Sequence, residues 1–260
     1  MRFSTILLVS LIVAGPASAG VVITMENSGG PDGAARQTQM LVEPDRLKMP
    51  QRNGGLIYRA DQEKAYNYDD ERKIYTEITR DSLGQMRQQM DAALAQVRQQ
   101  MANMPPDQRK MVEEMLAKQG AAAQQAAPTV TFEKSGGKQT VGKWSCEGYA
   151  RLENGRKVQD LCIARMADVG LTRGDLKAFT SMSAMMKSGL GRDQGSAMDF
   201  DAMSKAIGFD GVPVRTVLYL PNGQQHETTV KAVERKSLPP ATFELPAGYT
   251  RQEMPRPPGR

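Results

Sequence analysis

The sequence predicts an α+β fold in which one curved antiparallel sheet packs on helices and carries an inserted, methionine-rich helical hairpin. Three observations favour this fold. Short β-prone segments separated by turn residues fill positions 21–78, a segment rich in helix formers follows over 81–118, and β-prone segments return from position 129. Strands that come in runs, rather than singly between helices, indicate an antiparallel sheet instead of βαβ units. The concave face of such a sheet must enclose helix side chains or a ligand.

The first nineteen residues have the three parts of a secretory signal peptide. Arg2 supplies the positive charge, positions 6–14 form an apolar run, and Ala17-Ser18-Ala19 is a small-residue cleavage site. We therefore predict a signal peptide over 1–19 and cleavage before Gly20. The apolar run is shorter than the roughly 20 residues that a membrane-spanning helix needs. The expected location is periplasmic or secreted, and the processed chain is not expected to span a membrane.

Six strands are predicted in the first β-rich region, and they are expected to form an antiparallel meander. Each is bounded by residues that favour turns, such as Pro44-Asp45, Asn53-Gly54 and Asp69-Asp70. The predicted strands are 21–25, 37–42, 46–49, 55–59, 64–68 and 73–78.

A helical hairpin is predicted over 81–118, and an Ala/Gln linker extends the insertion to position 127. The segment is rich in Gln, Met, Ala, Arg and Glu and almost lacks β-branched residues. Its apolar residues recur at steps of three and four, so they lie on one stripe of the helix. Pro105-Pro106 ends the first helix and opens the second, since proline is tolerated in the first helical turn.

The rest of the chain predicts a return to the sheet with two further helices. Strands are expected over 129–133, 138–144, 214–220 and 228–234, and a hairpin over 144–165. A helix capped by Thr172 should run to Gly189, and a short one should cover 200–207. We therefore predict a single domain over 20–249 and a disordered tail over 250–260, which contains three prolines after Met254.

Cys146 and Cys162 are predicted to form a structural disulfide, because two cysteines in an exported chain are usually bonded to each other. The hairpin supplies a geometric reason. A three-residue loop of Glu153-Asn154-Gly155 would place the two cysteines directly opposite each other, whereas a two-residue Asn-Gly turn would shift the pairing by one residue. The absence of a Cys-x-x-Cys spacing argues against a redox-active pair.

Three short motifs resemble a bacterial exported family known only as a domain of unknown function. They are Tyr75-Thr76-Glu77-Ile78, the run from Val141 to Tyr149, and the run from Phe243 to Tyr249. That family is similar in turn to the LolA, LolB and LppX type of half-barrel, in which a curved antiparallel sheet wraps helices over an apolar cavity. The resemblance implies a half-barrel fold and a hydrophobic ligand, and it carries no catalytic residues.

The sequence offers little support for catalysis or for nucleic-acid binding. Its single histidine, His226, lies beside a turn, and no nucleophile, phosphate-loop, dinucleotide or zinc motif is present. The 34 basic and 29 acidic residues are interspersed and form no basic cluster with interleaved aromatics. We therefore predict a protein that is not an enzyme, with no cofactor, no metal site and no nucleic-acid partner.

Methionine is unusually common, with 17 residues against 6 phenylalanines. Three interpretations stay open: ordinary core packing, an adaptable lining for a hydrophobic ligand, and soft-metal binding through thioethers. The leading hypothesis is a non-enzymatic binding module for a lipid, an acyl chain or another hydrophobic ligand. The alternative is a structural or interaction module that docks an envelope protein through the hairpin, and a further alternative is copper handling. The candidate ligand or partner contacts are Met86, Met90, Leu94, Val97, Met101, Met182, Met185 and Met186.

Overall fold

The computed structural model describes residues 19–29, 34–105, 107–111, 128–190 and 200–253. The predicted signal peptide, except Ala19, lies outside the described residues. So do the linker and most of the second helix of the predicted hairpin, together with the last seven residues of the predicted tail. Within the described residues, twelve strands form one open, curved sheet with helices packed against it. The predicted α+β class is confirmed.

The predicted strands are present with small differences at their ends, except that the strands predicted over 129–133 and 138–144 form one strand. In chain order the strands are β1 (Ala19–Ser28), β2 (Arg36–Glu43), β3 (Arg46–Gln51), β4 (Gly54–Arg59), β5 (Lys64–Asp69), β6 (Ile74–Thr79), β7 (Val130–Val141), β8 (Trp144–Glu153), β9 (Arg156–Arg165), β10 (Gly211–Tyr219), β11 (Gln225–Ser237) and β12 (Thr250–Arg251). The helices are α1 (Arg80–Ala102), α2 (Met166–Val169), α3 (Lys177–Leu190) and α4 (Phe200–Ile207). Residues 107–111 are also helical.

The sheet consists of two antiparallel halves joined at its centre. β1 to β6 follow one another on one side, and β11 to β7 follow one another in reverse on the other side. β1 joins the halves, because it pairs with β2 on one edge and with β11 on the other. β12 adds to β6 in parallel, with Thr250 opposite Ile74. Thr250 and Arg251, which the sequence analysis placed in the tail, are therefore part of the sheet.

Two local predictions are corrected in the second half of the chain. The strand expected over 138–144 stops at Val141, because Gly142 takes a left-handed φ of 58° and makes a turn with Lys143. β7 is thus one strand from Val130, with an irregularity between Lys134 and Lys138. The helix expected from Thr172 begins only at Lys177, since residues 173–176 form turns.

The disulfide between Cys146 and Cys162 is confirmed, with the two Cα atoms 5.4 Å apart. The reason given for it was wrong. Glu153 pairs with Arg156, so the loop has two residues, and a β-bulge between Arg151 and Leu152 then shifts the register. Cys162 lies opposite Gly148, and the cysteines are diagonal neighbours. With the two-residue turn alone, the two cysteines would point to opposite faces of the sheet. The bulge shifts the register by one more residue, so both sulfur atoms lie on one face.

The sheet is covered on both faces. Consecutive strand residues point to opposite sides, and accordingly Val21 and Val22 belong to different clusters of buried residues. The larger cluster contains Phe179 and Met185 of α3. The other packs Val22 against Phe243, in the segment that follows β11.

α1 is attached mainly by its first turns. Thr79 and Ser82 form a reciprocal capping box, and Leu83 is the buried residue of this helix. Leu83 packs on Gly189 of α3, where a Cβ atom would come within 2.6 Å of the Leu83 Cβ. The far end is capped by Arg109, which donates hydrogen bonds to the carbonyl oxygens of Met101, Ala102 and Met104.

Candidate functional site

An apolar cavity of about 230 Å³ lies between the centre of the sheet and the helical segment that follows β9. Strands β1, β2, β10 and β11 form its floor, and α3, α4 and the residues around α2 form its roof. The cavity therefore lies across the joint between the two halves of the sheet. Its lining is aliphatic, aromatic and thioether side chains, apart from two threonines.

The roof of the cavity is built around two phenylalanines. Phe179 of α3 and Phe200 of α4 meet edge to face, with ring centroids 5.7 Å apart. This is a favoured geometry for an aromatic pair. Phe179 is buried and Phe200 is half-buried. The aromatic pair thus joins the two helices directly over the cavity.

The two threonines occupy one part of the floor. Thr216 of β10 lies directly opposite Thr228 of β11. The Thr228 hydroxyl donates to Oδ1 of Asn27 over 2.8 Å, and the Asn27 amide donates to Oγ1 of Thr38 over 2.8 Å. Uncharged polar side chains on four neighbouring strands therefore border an otherwise apolar lining.

An ion pair fastens the turn before α3 to the sheet. Leu171 and Leu176, at the ends of this turn, line the cavity. Between them, Asp175 accepts hydrogen bonds from Arg235 of β11 over 2.7 Å and from Thr172 over 2.8 Å. Burial disfavours the charged form of Asp175, but these hydrogen bonds outweigh it and hold the pKa of the carboxyl below its ordinary value. The roof and the floor are thus joined by a charged contact outside the cavity.

A second depression, of about 300 Å³, lies over β7 to β10 and is polar. Its charged side chains are already paired. Lys157 lies 2.9 Å from Asp160, and Arg215 lies 2.7 Å from Glu227. These pairs lower the pKa of Glu227 and raise that of Lys157. A ligand would have to compete with these ion pairs, so we take the apolar cavity as the candidate site.

The contacts predicted from the methionine pattern lie next to the cavity or away from it. Met185 is buried in the larger core cluster, and Met182 and Met186 pack against that cluster. The α1 residues of the prediction, Met86, Met90, Leu94, Val97 and Met101, are half-buried along the helix. None of these eight residues lines the cavity.

The residues that do line the cavity were not selected by the sequence analysis. Met25 and Met40 lie on β1 and β2, where they alternate with residues of the other sheet face, and Phe179 and Phe200 lie on separate helices. They could have been predicted by combining the alternation of apolar residues along the strands with the apolar sides of two short helices. That combination requires knowing which strands are neighbours, and the pairing of β1 with β11 spans most of the chain.

Within the described ranges, no group of three or more His, Cys, Asp or Glu side chains is placed to hold a metal ion. No helix in that part of the chain is long and apolar enough to cross a membrane.

The fold and the cavity define an α+β protein with a wide, open sheet and an apolar cavity between that sheet and its helices. The chain belongs to the family described as "Domain of unknown function (DUF4412)", whose model matches residues 69–249. This confirms the resemblance to a family of unknown function. No curated protein matches the sequence significantly.

The solved structures that match over most of the chain include PNGF-II and a LolA superfamily protein. PNGF-II, in a C2 crystal form, is 9% identical and has a TM-score of 0.31, and the similarity covers 91% of this chain and 31% of that one. Its P2₁ crystal form gives 9% identity and a TM-score of 0.30. The chain thus spans about a third of the length of PNGF-II. A LolA superfamily protein, NE2245 from Nitrosomonas europaea, is 9% identical with a TM-score of 0.26, covering 88% of this chain and 91% of that one.

Proposed function

We propose that this protein is an exported, non-enzymatic module that binds a hydrophobic ligand in the cavity under Phe179 and Phe200. The observation that carries the proposal is the lining itself. An apolar cavity between a sheet and helices, with few polar groups in its lining, is the usual form of a binding site for small hydrophobic molecules. Burial of apolar ligand surface would supply the binding free energy.

The arrangement of the cavity also favours a site that can open. Its floor belongs to the sheet, where backbone ladders join β1 to β11 and β11 to β10, with one register shift between Thr24 and Met25. Its roof consists of short helices that are fastened by side-chain contacts such as Arg235 with Asp175. A ligand can therefore enter by displacement of the roof while the sheet stays intact.

Native mass spectrometry of the mature protein, purified from its own cell envelope and followed by organic extraction, tests this proposal. We expect a stoichiometric hydrophobic ligand, and a uniformly ligand-free mass would contradict the proposal. Val230→Trp should fill the cavity from the floor and abolish ligand uptake. Lys231→Trp is the matched control, because Lys231 is exposed and pairs with Glu26 on the other sheet face. Thermal unfolding of both variants checks that they fold.

A second candidate function is docking of an envelope protein on α1. Beyond Leu83, the apolar stripe of α1 is half-buried rather than buried. Met90→Glu with Leu94→Glu should then abolish crosslinking to that protein in cells, while Gln88→Glu with Gln99→Glu, on exposed positions of the same helix, should preserve it. Unchanged crosslinking in the first variant would reject this function. Ligand uptake by the cavity should be unaffected in both variants.

A further inference from the structure

The cavity has a polar part, which could form hydrogen bonds with a ligand that carries a polar group but not with a pure hydrocarbon. Its side-chain hydroxyl groups, on Thr216 and Thr228, are adjacent across β10 and β11. The Thr228 hydroxyl already donates its proton to Asn27. Within the described part of the chain, the Thr216 hydroxyl forms no hydrogen bond with another residue. Thr216 is therefore the group in the lining that is free to donate a hydrogen bond to a ligand and to accept one.

None of the described residues that line the cavity carries a charge. Arg215, next to Thr216 in sequence, lies on the other sheet face, where both of its hydrogen bonds go to the carboxylate of Glu227. Lys231, next to Val230, is paired with Glu26 on that same face. An ionised head group buried among these described residues would thus lose its water without gaining an opposite charge from them. Such a transfer is strongly unfavourable.

The size of the cavity restricts the apolar part of the ligand. A volume of about 230 Å³ is smaller than the roughly 300–1,000 Å³ of sites that hold drug-sized molecules. A single short hydrocarbon chain fits this space better than a two-chain lipid does.

From these three observations we propose that the ligand is a neutral single-chain amphiphile, with its chain under the two phenylalanines and its hydroxyl or carbonyl group hydrogen-bonded to Thr216. Fatty alcohols and monoacylglycerols belong to this class, whereas ionised fatty acids should bind more weakly. The inference rests on the proposed function, since it specifies the ligand of the same cavity.

Isothermal titration calorimetry with 1-decanol and with decanoate tests the inference. At a pH where decanoate is ionised, we expect 1-decanol to bind at least roughly tenfold more tightly, because the carboxylate must be desolvated without a partner. Thr216→Val removes one neutral hydrogen bond with little change of shape, so the affinity for 1-decanol should fall roughly threefold to tenfold. Thr24→Val is the matched control, because Thr24 lies between Ile23 and Met25 on β1 and faces the opposite side.

The outcomes separate the two proposals. Binding of neither probe, by a protein that also carries no native ligand, would overturn the proposed function and the inference with it. Binding of decanoate as tightly as 1-decanol would overturn only the inference. Equal loss of 1-decanol affinity in Thr216→Val and Thr24→Val would do the same. Retained selectivity in Thr24→Val together with lost affinity in Thr216→Val would support both.

Discussion

Arg235 places Nη2 2.7 Å from Oδ2 of Asp175, and this contact fastens the roof of the cavity to its floor. The Asp175 side chain is 10% exposed, so its charge depends on the groups around it. Arg235→Gln should lower the free energy of unfolding by about 1–3 kcal/mol, because a buried carboxylate loses its strongest donor. Urea denaturation measures this. Arg173→Gln, on an exposed pair with Asp210, should change the stability much less and is the control.

The same carboxyl predicts a dependence of stability on pH. The folded pKa of Asp175 lies below its ordinary value of 3.8, so the folded state favours the charged form. Its contribution to stability is therefore fully present above 3.8 and is lost as the pH falls through the folded pKa. Asp175→Asn should be less stable than the wild type near neutral pH, and the difference should shrink in acid. A difference that stayed constant down to the acid transition would contradict this assignment.

Gly189 and Gly84 predict opposite responses to the same substitution. At Gly189 an added Cβ would lie 2.6 Å from the Leu83 Cβ and 3.2 Å from the Arg80 carbonyl oxygen. Gly189→Ala should therefore cost about 1–3 kcal/mol, as overpacking usually does. At Gly84 an added Cβ would have its nearest neighbouring atom 4.0 Å away, so it would not be crowded. Gly84→Ala should stabilise the helix by up to about 1 kcal/mol. Thermal unfolding of the two variants compares them directly, and destabilisation by both would contradict the packing described.

The disulfide is expected to stabilise the folded state by lowering the conformational entropy of the unfolded chain. The cysteines are separated by 16 residues, for which the chain-entropy model gives about 3 kcal/mol. Cys146→Ala with Cys162→Ala should lose roughly this amount in urea denaturation. Reduction of the wild-type protein with dithiothreitol should have a similar effect. A loss in the variant without a loss on reduction would indicate a packing defect instead.

Asn154 has two functions that can be separated by substitution. It takes a left-handed φ of 52°, and its Oδ1 atom accepts a hydrogen bond from the backbone N–H of Thr129 over 2.9 Å. Asn154→Gly keeps the backbone conformation and loses the hydrogen bond, whereas Asn154→Ala loses both. The alanine variant should be less stable than the glycine variant by about 1 kcal/mol, since a left-handed residue with a Cβ costs roughly 1–2 kcal/mol. Equal stabilities would show that the turn relaxes.

Tyr249 predicts an abnormal tyrosine titration. Its hydroxyl donates a hydrogen bond to Oδ1 of Asp70, which raises its pKa to about 12. Spectrophotometric titration of the wild type, with Tyr249→Phe subtracted, isolates this group. Asp70→Asn removes the negative charge and should lower the pKa of Tyr249 towards 10. An unchanged value in Asp70→Asn would mean that another contact is responsible.

The meander of β1 to β6 was predictable because its turns depend on turn-forming residues that are adjacent in the sequence. Turn formers such as Asn53-Gly54 and Pro44-Asp45 end a strand through their own backbone preferences, whatever the tertiary structure around them. The hairpin at Cys146 was harder to predict. The two-residue turn and the β-bulge each shift the register by one residue. Together they place the cysteines on the same face of the sheet, as a single three-residue loop would. Alternation alone fixes which face each sulfur lies on, but not which residue lies opposite it.

The cavity could not be predicted in this way, because its parts are distant in sequence. Met25 and Val230 are register partners on β1 and β11, and no local pattern relates them. The methionine stripe of α1 attracted the prediction because it is continuous in sequence. Phe179 and Phe200, which meet over the cavity, lie on separate helices and form no such continuous pattern.

The position of β1 at the centre of the sheet sets an order of events during folding. β1 is synthesised before the other strands, yet its second edge is completed only by β11, with Ala19 opposite Ser237 and Ser28 opposite Glu227. Pairings between such distant segments form slowly, since the whole intervening chain must be closed into a loop. The cavity floor contains strands from both halves, so we expect it to form only with this late pairing. A ligand that binds there would act on the last stage of folding and hold the two halves together.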